Sequence, residues 1–426
     1  MTLKLKCILI LVFLIFSLIG RGEELSIDQI LELARGQNIE QTIIENNYLV
    51  NFYQSKQVYA NTLPKLDFQL SSAYGRTQNQ NLPGAYKHGS QHSWNLTWVG
   101  PSSNLRDFSS AYKAYHLSLN IAEKNRQFEQ DRFYMDIVRK FGSSLKALST
   151  FKVAEKTESY AITLKNYTDL EHKNGGVSQL DKLQADSFFS HSRATVLLAK
   201  QDYKGQLARL KNSLGIPKEN SLFISDKLEE KGKYFEVPSI NEEKNSHSLE
   251  LAKLQVEYQE QVADVRRNSL FPSLSLFALA ANNGRDQWDD LWHEQHITYQ
   301  GGLQFNWTLF DGLKNTSQWY EAAAQKVIAE ATLHKQEMER NLALQEAINN
   351  VKILKEILQA NKQSEQAAKL LFEQLDDDFR SGRAELSAVL DSERRWSLDV
   401  KELYETYTKL IFAIASLKEL LGHPIY

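Results

Sequence analysis

The sequence predicts a mixed α and β membrane protein, and three observations lead to that class. The chain repeats itself at an offset of 207 or 208 residues, with matching phrases in the same order. Two runs almost free of proline and glycine, 104–173 and 313–381, are too long and too periodic to be ordinary globular helices. Four shorter segments alternate apolar, aromatic-rich positions with polar ones, the pattern of a strand with one face in lipid and the other in water.

The repeat is read from three landmarks. Pro64 and Pro272 open the strand phrases LPKLDFQLS and FPSLSLFAL; Gly175 and Gly382 open GGVSQLDKLQAD and GRAELSAVLDSE; Leu214-Gly215 and Leu421-Gly422 close long apolar-periodic runs. Two copies make an internal duplication and not a solenoid. The first copy is expected over 23–217 and the second over 247–426. The polar segment 218–246, with Pro238 inside it, is expected to connect them.

The long runs are helical hairpins. At about 1.5 Å per residue, roughly 70 residues extend about 100 Å. Ala347, Val351, Leu354, Leu358, Ala368, Phe372, Leu375 and Phe379 fall on a ladder of alternating four- and three-residue steps, broken at Asn361 and Glu365. Leu386, Val389, Trp396, Val400, Leu403, Tyr407, Leu410, Ile414, Leu417 and Leu421 continue it after Gly382, broken at Glu393. Steps averaging about 3.5 residues keep one seam on a neighbour when helices supercoil. The two runs therefore form an antiparallel pair turning near Gly382. Tyr134, Val138, Phe141, Leu145 and Leu148 pair likewise with Val196, Tyr203, Leu207, Leu210 and Leu214, interrupted by Lys200 and turning near Gly175.

Strands are expected at about 63–75, 92–100, 270–281 and 297–310. Phe68, Leu70 and Tyr74 alternate with Asp67, Gln69 and Ser71; Trp94, Leu96 and Trp98 with Asn95 and Thr97; Tyr299, Leu303, Phe305, Trp307 and Leu309 with Gln300, Gln304, Asn306 and Thr308. Leu274, Leu276, Ala278 and Ala280 mark the remaining strand, whose polar face is blurred by Phe277 and Leu279. Four strands cannot close a barrel, and lipid does not tolerate open edges, so identical chains must share one. Eight, twelve or sixteen strands in total satisfy cyclic closure. Loops Arg76–Gln91 and Asn282–His296 suit the outer side, and Asp311 or Ser102, Ser103 and Asn104 can cap the helices that follow the strands.

Met1–Gly22 has the basic start, apolar core and small terminal residues of an export signal. Its removal would take away Cys7, the one cysteine, and leave 47 basic against 53 acidic residues, a net charge of −6. That acidity, without a basic stripe, excludes nucleic acid as a partner. No segment after it is apolar enough for a membrane helix. The pairs His88/His92 and His293/His296 have no organised carboxylates or cysteine beside them, and no nucleophile phrase appears. The chain is read as no enzyme, with no cofactor and no metal site. A structural coiled-coil protein of the envelope would account for the ladders but not for the alternating strands.

These phrases resemble the outer-membrane efflux protein family, the TolC-like exit ducts. The resemblance rests on FNWTLFDGL at Phe305–Leu313, the two phrases after Gly175 and Gly382, the Leu-Gly endings and the duplication. It implies a homotrimer with a twelve-stranded barrel in outer-membrane lipid, continuous with an α-helical coiled-coil barrel in the periplasm. Its hairpin tips would dock on a periplasmic adaptor (membrane fusion) protein that leads to an inner-membrane transporter. The first copy departs from the family pattern, with VGPSSN at Val99–Asn104 in place of an LFDG-like corner, bent by Pro101.

By position, the resemblance makes Asp391 one acid of a pore constriction, while Ala388 stands where a second acid is often found. Asp376, Asp377 and Asp378 oppose the helix macrodipole and are further constriction candidates. The docking tips would be Gly175, Val177, Ser178, Gly382, Arg383, Ala384 and Glu385, with the side chains exposed. The function expected is that of an exit duct of a tripartite export system for small toxic compounds. Protein (type I) secretion and metal-cation efflux are the alternatives within the same reading.

Overall fold

The computed structural model describes residues 24–36, 38–60, 62–78, 86–100, 105–217, 220–225, 233–236, 246–285 and 288–425. The expected export signal and the corner Pro101–Asn104 lie outside the described residues, as does most of the connector. In chain order the elements are β1 (Glu24–Leu25), α1 (Ile27–Ala34), α2 (Ile39–Ala60), β2 (Lys65–Gln78), β3 (Tyr86–Val99), α3 (Leu105–Asn174) and α4 (Gln179–Ser213). There follow β4 (Phe223–Ile224), α5 (His247–Asn268), β5 (Ser273–Arg285), β6 (Thr298–Asn306), α6 (Lys314–Arg380) and α7 (Leu386–Leu420). Short 3-10 turns lie at Lys233–Phe235, Asp289–Trp292 and Glu294–His296. Among the described residues no helix is long and apolar enough to cross a membrane.

The chain divides into two compact units. A helical unit is drawn from residues up to Asn46, from Arg126–His247 and from Glu337 onward; a sheet unit comprises Asn47–Asn125 and Ser248–Gln336.

In the helical unit the ladder is the packing seam. Val351, Leu354, Leu358 and Phe379 are buried on α6, and Leu386, Val389, Val400, Leu403, Tyr407, Leu410, Ile414 and Leu417 on α7. The three residues that interrupt the ladder are each bonded where they break it. Asn361 Nδ2 donates to Thr406 Oγ1 at 3.0 Å, and Trp396 Nε1 donates to a Glu365 carboxylate oxygen at 2.9 Å. Buried Glu393 accepts from Thr157 Oγ1 at 2.6 Å and from Ser397 Oγ at 2.8 Å. A buried polar group left unbonded would destabilise the fold, so the interruptions are satisfied contacts and not gaps.

The return helix of the first hairpin follows the expected ladder at its far end, where Leu210 and Leu214 are buried and Tyr203 and Leu207 pack against the core, and continues it toward the turn with small residues. Helix α4 buries the small residues Ala185, Ser192 and Ala199 in seven-residue steps before Leu210. Leu180, Leu183, Leu197 and Leu198 are exposed. Helices α3 and α7 come close at Gly142, where a Cβ would lie 2.5 Å from Thr408 Cγ2, and Thr408 Oγ1 donates to the Gly142 carbonyl at 3.3 Å.

Short elements close the end of this unit. Helix α1 starts in a capping box, with Ser26 N–H bonded to Gln29 Oε1 at 2.9 Å, and buries Ile27, Ile30, Leu31 and Ala34. β1 pairs in parallel with β4, which lies within the segment expected only to connect the copies. From that same segment Tyr234 is buried: its hydroxyl donates to the Ile411 carbonyl at 2.5 Å, and Lys418 Nζ donates to its carbonyl at 2.7 Å.

The sheet unit holds four antiparallel strands in the order β2-β3-β5-β6. The register gathers one apolar face. Phe68, Leu96, Ala280 and Tyr299 form one row across it, Leu66, Trp98, Ala278 and Gly301 the next, and Leu276 faces Leu303 beyond. The other face carries the rows Asp67, Thr97, Leu279, Gln300 and Gln69, Asn95, Ala281, Thr298. Phe277, the residue that blurs the alternation, lies against Gly302, where an added Cβ would sit 3.3 Å from its ring. The glycine leaves room for the aromatic ring beside it.

The loop expected over Arg76–Gln91 is largely strand, since β2 runs to Gln78 and pairs with a β3 that starts at Tyr86. Gly75 faces Gly89 there, and two facing backbones satisfy each other's hydrogen bonds whatever the hydropathy of their side chains. Conversely β6 ends at Asn306, short of the expected 310, and Trp307, Leu309 and Phe310 are exposed beyond it. At the corner that follows, Gly312 and Leu313 both take φ +71°, and Asp311 accepts from the Asn315 N–H at 2.9 Å.

Candidate functional site

The two hairpin ends are built by the same local chemistry. Gly176 N–H donates to the Glu171 carbonyl at 2.8 Å, and Arg383 N–H to the Asp378 carbonyl at 2.8 Å, each spanning five residues around a glycine of positive φ. These are Schellman closures. Gly175 has φ +76° and Gly382 φ +72°, and nothing lies within 4 Å of a Cβ at either, so conformation and not space requires glycine. Past the first turn Ser178 caps α4, accepting from the Asp181 N–H at 3.1 Å. Glu385 holds the equivalent place before α7 and makes no side-chain cap bond.

The expected tip surface is only partly exposed. Ser178, Arg383 and Glu385 are exposed, but Val177 and Ala384 are half-buried. Ala384 folds back on the small core of Leu164, Ala185, Phe379, Leu386 and Val389 that fills this end. The Val177 carbonyl lies 3.0 Å from His172 Nδ1.

The four candidate constriction acids are not equivalent. Asp391 is exposed and pairs with Arg394 at 3.2 Å across a similarly open surface. Asp377 is also exposed. Asp376 points between helices: Tyr160 of α3 donates to it at 2.7 Å and Arg380 at 2.9 Å. Burial, and then the neighbouring Asp376 carboxylate, push the Tyr160 phenol far above its ordinary range. The Arg383 guanidinium grips Asp378 at 2.6 Å and holds its carboxyl below the usual value.

Sequence reasoning missed the residues that tie these acids down. Tyr160 lies edge-on to Phe372, and Tyr167 edge-on to Phe379, with its hydroxyl donating to the Arg380 carbonyl at 3.3 Å. Tyr160 and Tyr167 stand seven residues apart, the same spacing as Phe372 and Phe379, which is the signal that pairs them. Between α3 and α4, Lys165 pairs with Asp186, and Lys182 bridges to Asp169 at 3.0 Å. Lys182 is the main reason that Asp169 is held below the usual carboxylate value. Among the described residues no group of histidine, cysteine or carboxylate side chains is placed to hold a metal ion.

The chain combines an open-edged sheet with one apolar face and two long hairpins closed by glycine turns, and outer-membrane channels of solved structure share that fold. Residues 241–423 match the family model of outer membrane efflux proteins. The Campylobacter jejuni CmeC outer membrane channel shares 16% identity over 93% of this chain and 85% of its own, with a TM-score of 0.82. VceC, an outer membrane protein of Vibrio cholerae, shares 13% over 94% of this chain and 97% of its own, at 0.78. The Neisseria gonorrhoeae MtrE outer membrane channel, in its open state, shares 13% over 93% and 89%, at 0.75. At these identities the likeness is one of fold. No curated protein sequence matches the chain.

Proposed function

We propose that this protein is the outer-membrane exit duct of a tripartite export system. Its cargo would be small toxic compounds, handed over by an inner-membrane transporter through a periplasmic adaptor. One observation carries the reading: among the described residues the sheet exposes an apolar face and has two free edges, at β2 and β6. In water that face would aggregate, and in lipid those edges would be unpaired. Both problems vanish when β6 of one copy pairs with β2 of the next around a closed ring, apolar face outward.

Three copies give twelve strands, the number implied by the resemblance, and the internal duplication supplies two hairpins per copy for a periplasmic tunnel. The exposed leucines of α4 are the positions such a tunnel would cover between copies. The sheet lies in the outer membrane and the hairpins lie in the periplasm, after export directed by Met1–Gly22. The duct is a conduit and not an enzyme, driven by its inner-membrane partner.

Within this reading Asp391, whose partner Arg394 is itself exposed, and Asp377 are the acids that would face a lumen, whereas Asp376 and Asp378 hold the hairpin together. Ser178, Arg383 and Glu385 supply the exposed part of the adaptor-docking tips, on a frame set by Gly175, Val177, Gly382 and Ala384. The experiment compares a deletion strain with its parent for retention of dyes, antibiotics and divalent metals. Raised retention of organic compounds, restored by the gene, is the expected result. Retention of metals alone, or of secreted proteins alone, would move the cargo to one of the alternatives. A soluble monomer in detergent extracts would remove the duct altogether.

A further inference from the structure

Residues 288–296, between β5 and β6, lie on the apolar face of the sheet. Leu291 is fully buried there, and its carbonyl accepts two hydrogen bonds from strand side chains, Trp94 Nε1 at 2.7 Å and Asn282 Nδ2 at 2.8 Å. Trp94 and Asn282 face each other across β3 and β5, in the row that also holds Leu70. Trp292 stacks on Trp94 with ring centroids 5.7 Å apart, and Trp288 lies 4.2 Å from His92. Both loop tryptophans stay open on their outer sides, Trp288 at 49% and Trp292 at 61%.

The clamp answers a physical difficulty. An indole N–H and an amide on a lipid-facing surface would be unsatisfied in hydrocarbon, at several kcal/mol each by the usual scale. A single loop carbonyl accepts from both. Tryptophan is the side chain that prefers the boundary between hydrocarbon and headgroups, because its ring is apolar and its N–H is not. Trp292 lies over Trp94, in the row next beyond Phe68, Leu96 and Tyr299, and Trp288 lies against His92 in the row after it, where the sheet residues Ser72, His92 and Arg285 are polar.

We propose that Trp288–His296 is a lipid-interface clasp. It lies on the bilayer side of the sheet, seats Trp288 and Trp292 in the headgroup zone of the membrane, and does not close the mouth of the duct. This rests on the proposed function for the assignment of the apolar face to lipid.

The test uses the full chain with Cys7→Ser, reconstituted in phosphatidylcholine vesicles and carrying a bimane label at one of three positions. Leu303→Cys reports the apolar face, Gln304→Cys the polar face and Trp292→Cys the loop. Lipids brominated near the headgroup should quench position 292 more than lipids brominated deep in the chain. Any brominated lipid should quench 303, and aqueous iodide alone should quench 304. Quenching of 292 by iodide alone overturns the clasp, as does protection from both quenchers, which would mean cover by a neighbouring copy.

If 303 and 304 exchange behaviour, the duct reading itself fails; if they behave and 292 does not, only the clasp fails. Because a cysteine at 292 loses the stack on Trp94, a second measurement uses native fluorescence. Trp288→Phe with Trp292→Phe should lose part of the quenching by shallow brominated lipid, whereas Trp396→Phe should not. Unchanged quenching in the double variant overturns the proposal.

Discussion

The two return helices, α4 and α7, have the same length and follow the same glycine turn, yet they are packed in opposite ways. Helix α7 buries large side chains along its whole course, from Leu386 through Leu410 to Leu417. Helix α4 buries alanine and serine at the corresponding seam and leaves four leucines exposed. The difference teaches that α7 is a core helix of the single chain, whereas α4 leaves a row of large apolar side chains uncovered within it. A small-residue seam brings helices close, and large exposed side chains beside it offer a second contact surface.

The largest test of that contrast is Leu410→Ala against the pair Leu197→Ala and Leu198→Ala. Truncating Leu410 removes a fully enclosed side chain and should cost about 2–5 kcal/mol, read as a lower unfolding midpoint in detergent. The α4 pair should leave the unfolding of the separated chain nearly unchanged and weaken the oligomer, read as subunit release on unheated gels. An oligomer unmoved by the α4 pair would break the comparison.

Next in size is Glu393→Ala, which strands two hydroxyl donors and should cost about 1–3 kcal/mol in thermal unfolding. Glu393→Gln keeps an acceptor and should cost less. An equal loss for both would mean that charge, and not the bonds from Thr157 and Ser397, holds the seam.

Gly175→Ala and Gly382→Ala should each cost about 1–2 kcal/mol, because both turns require positive φ and neither is crowded. Equal losses at the two turns, measured by hydrogen exchange at the hairpin ends, would show that the hairpins differ in packing and not in closure.

The smallest effect is one of pH. Arg383 lowers the Asp378 pKa in the folded chain, so its contribution is complete above the ordinary value of 3.8 and is lost as pH falls below it. Faster amide exchange around Gly382 below that pH is expected, and a change of the same sign around Gly175, where Lys182 lowers Asp169 in the same way. Arg383→Gln should abolish the response at Gly382 and leave that at Gly175.

Much of the fold was legible because its signals are periodic. The seven-residue pattern on α6 and α7 identified the seam, and its interruptions at Asn361, Glu365 and Glu393 marked where polar contacts cross it. On α4 the same reasoning favoured Val196 and Tyr203. Tyr203, Leu207, Leu210 and Leu214 do pack on the core, but toward the turn the seam continues through Ala185, Ser192 and Ala199, small residues that hydropathy passes over. The strand ends were also harder to place, since Gly75 to Gln78 lack any alternation and are held by pairing with β3.

At the candidate site, the acids near Gly382 were visible as a charge run, but their partners were not. Tyr160 lies more than 200 residues from Asp376 in the chain, and only folding brings the pair together. The clasp over the sheet was hidden for a different reason. Its bonds end on a backbone carbonyl, at Leu291, which leaves no mark in the sequence.

Gly142 has a mechanical consequence. The absent side chain lets α3 rest directly on Thr408 of α7, so any larger residue here would wedge the two helices apart. From there to Gly175 the helix is a lever of about 50 Å, and a tilt of about 5° would swing its end through about 4 Å. A small change in angle at one methyl group is thereby magnified to the width of a water molecule or more at the hairpin end.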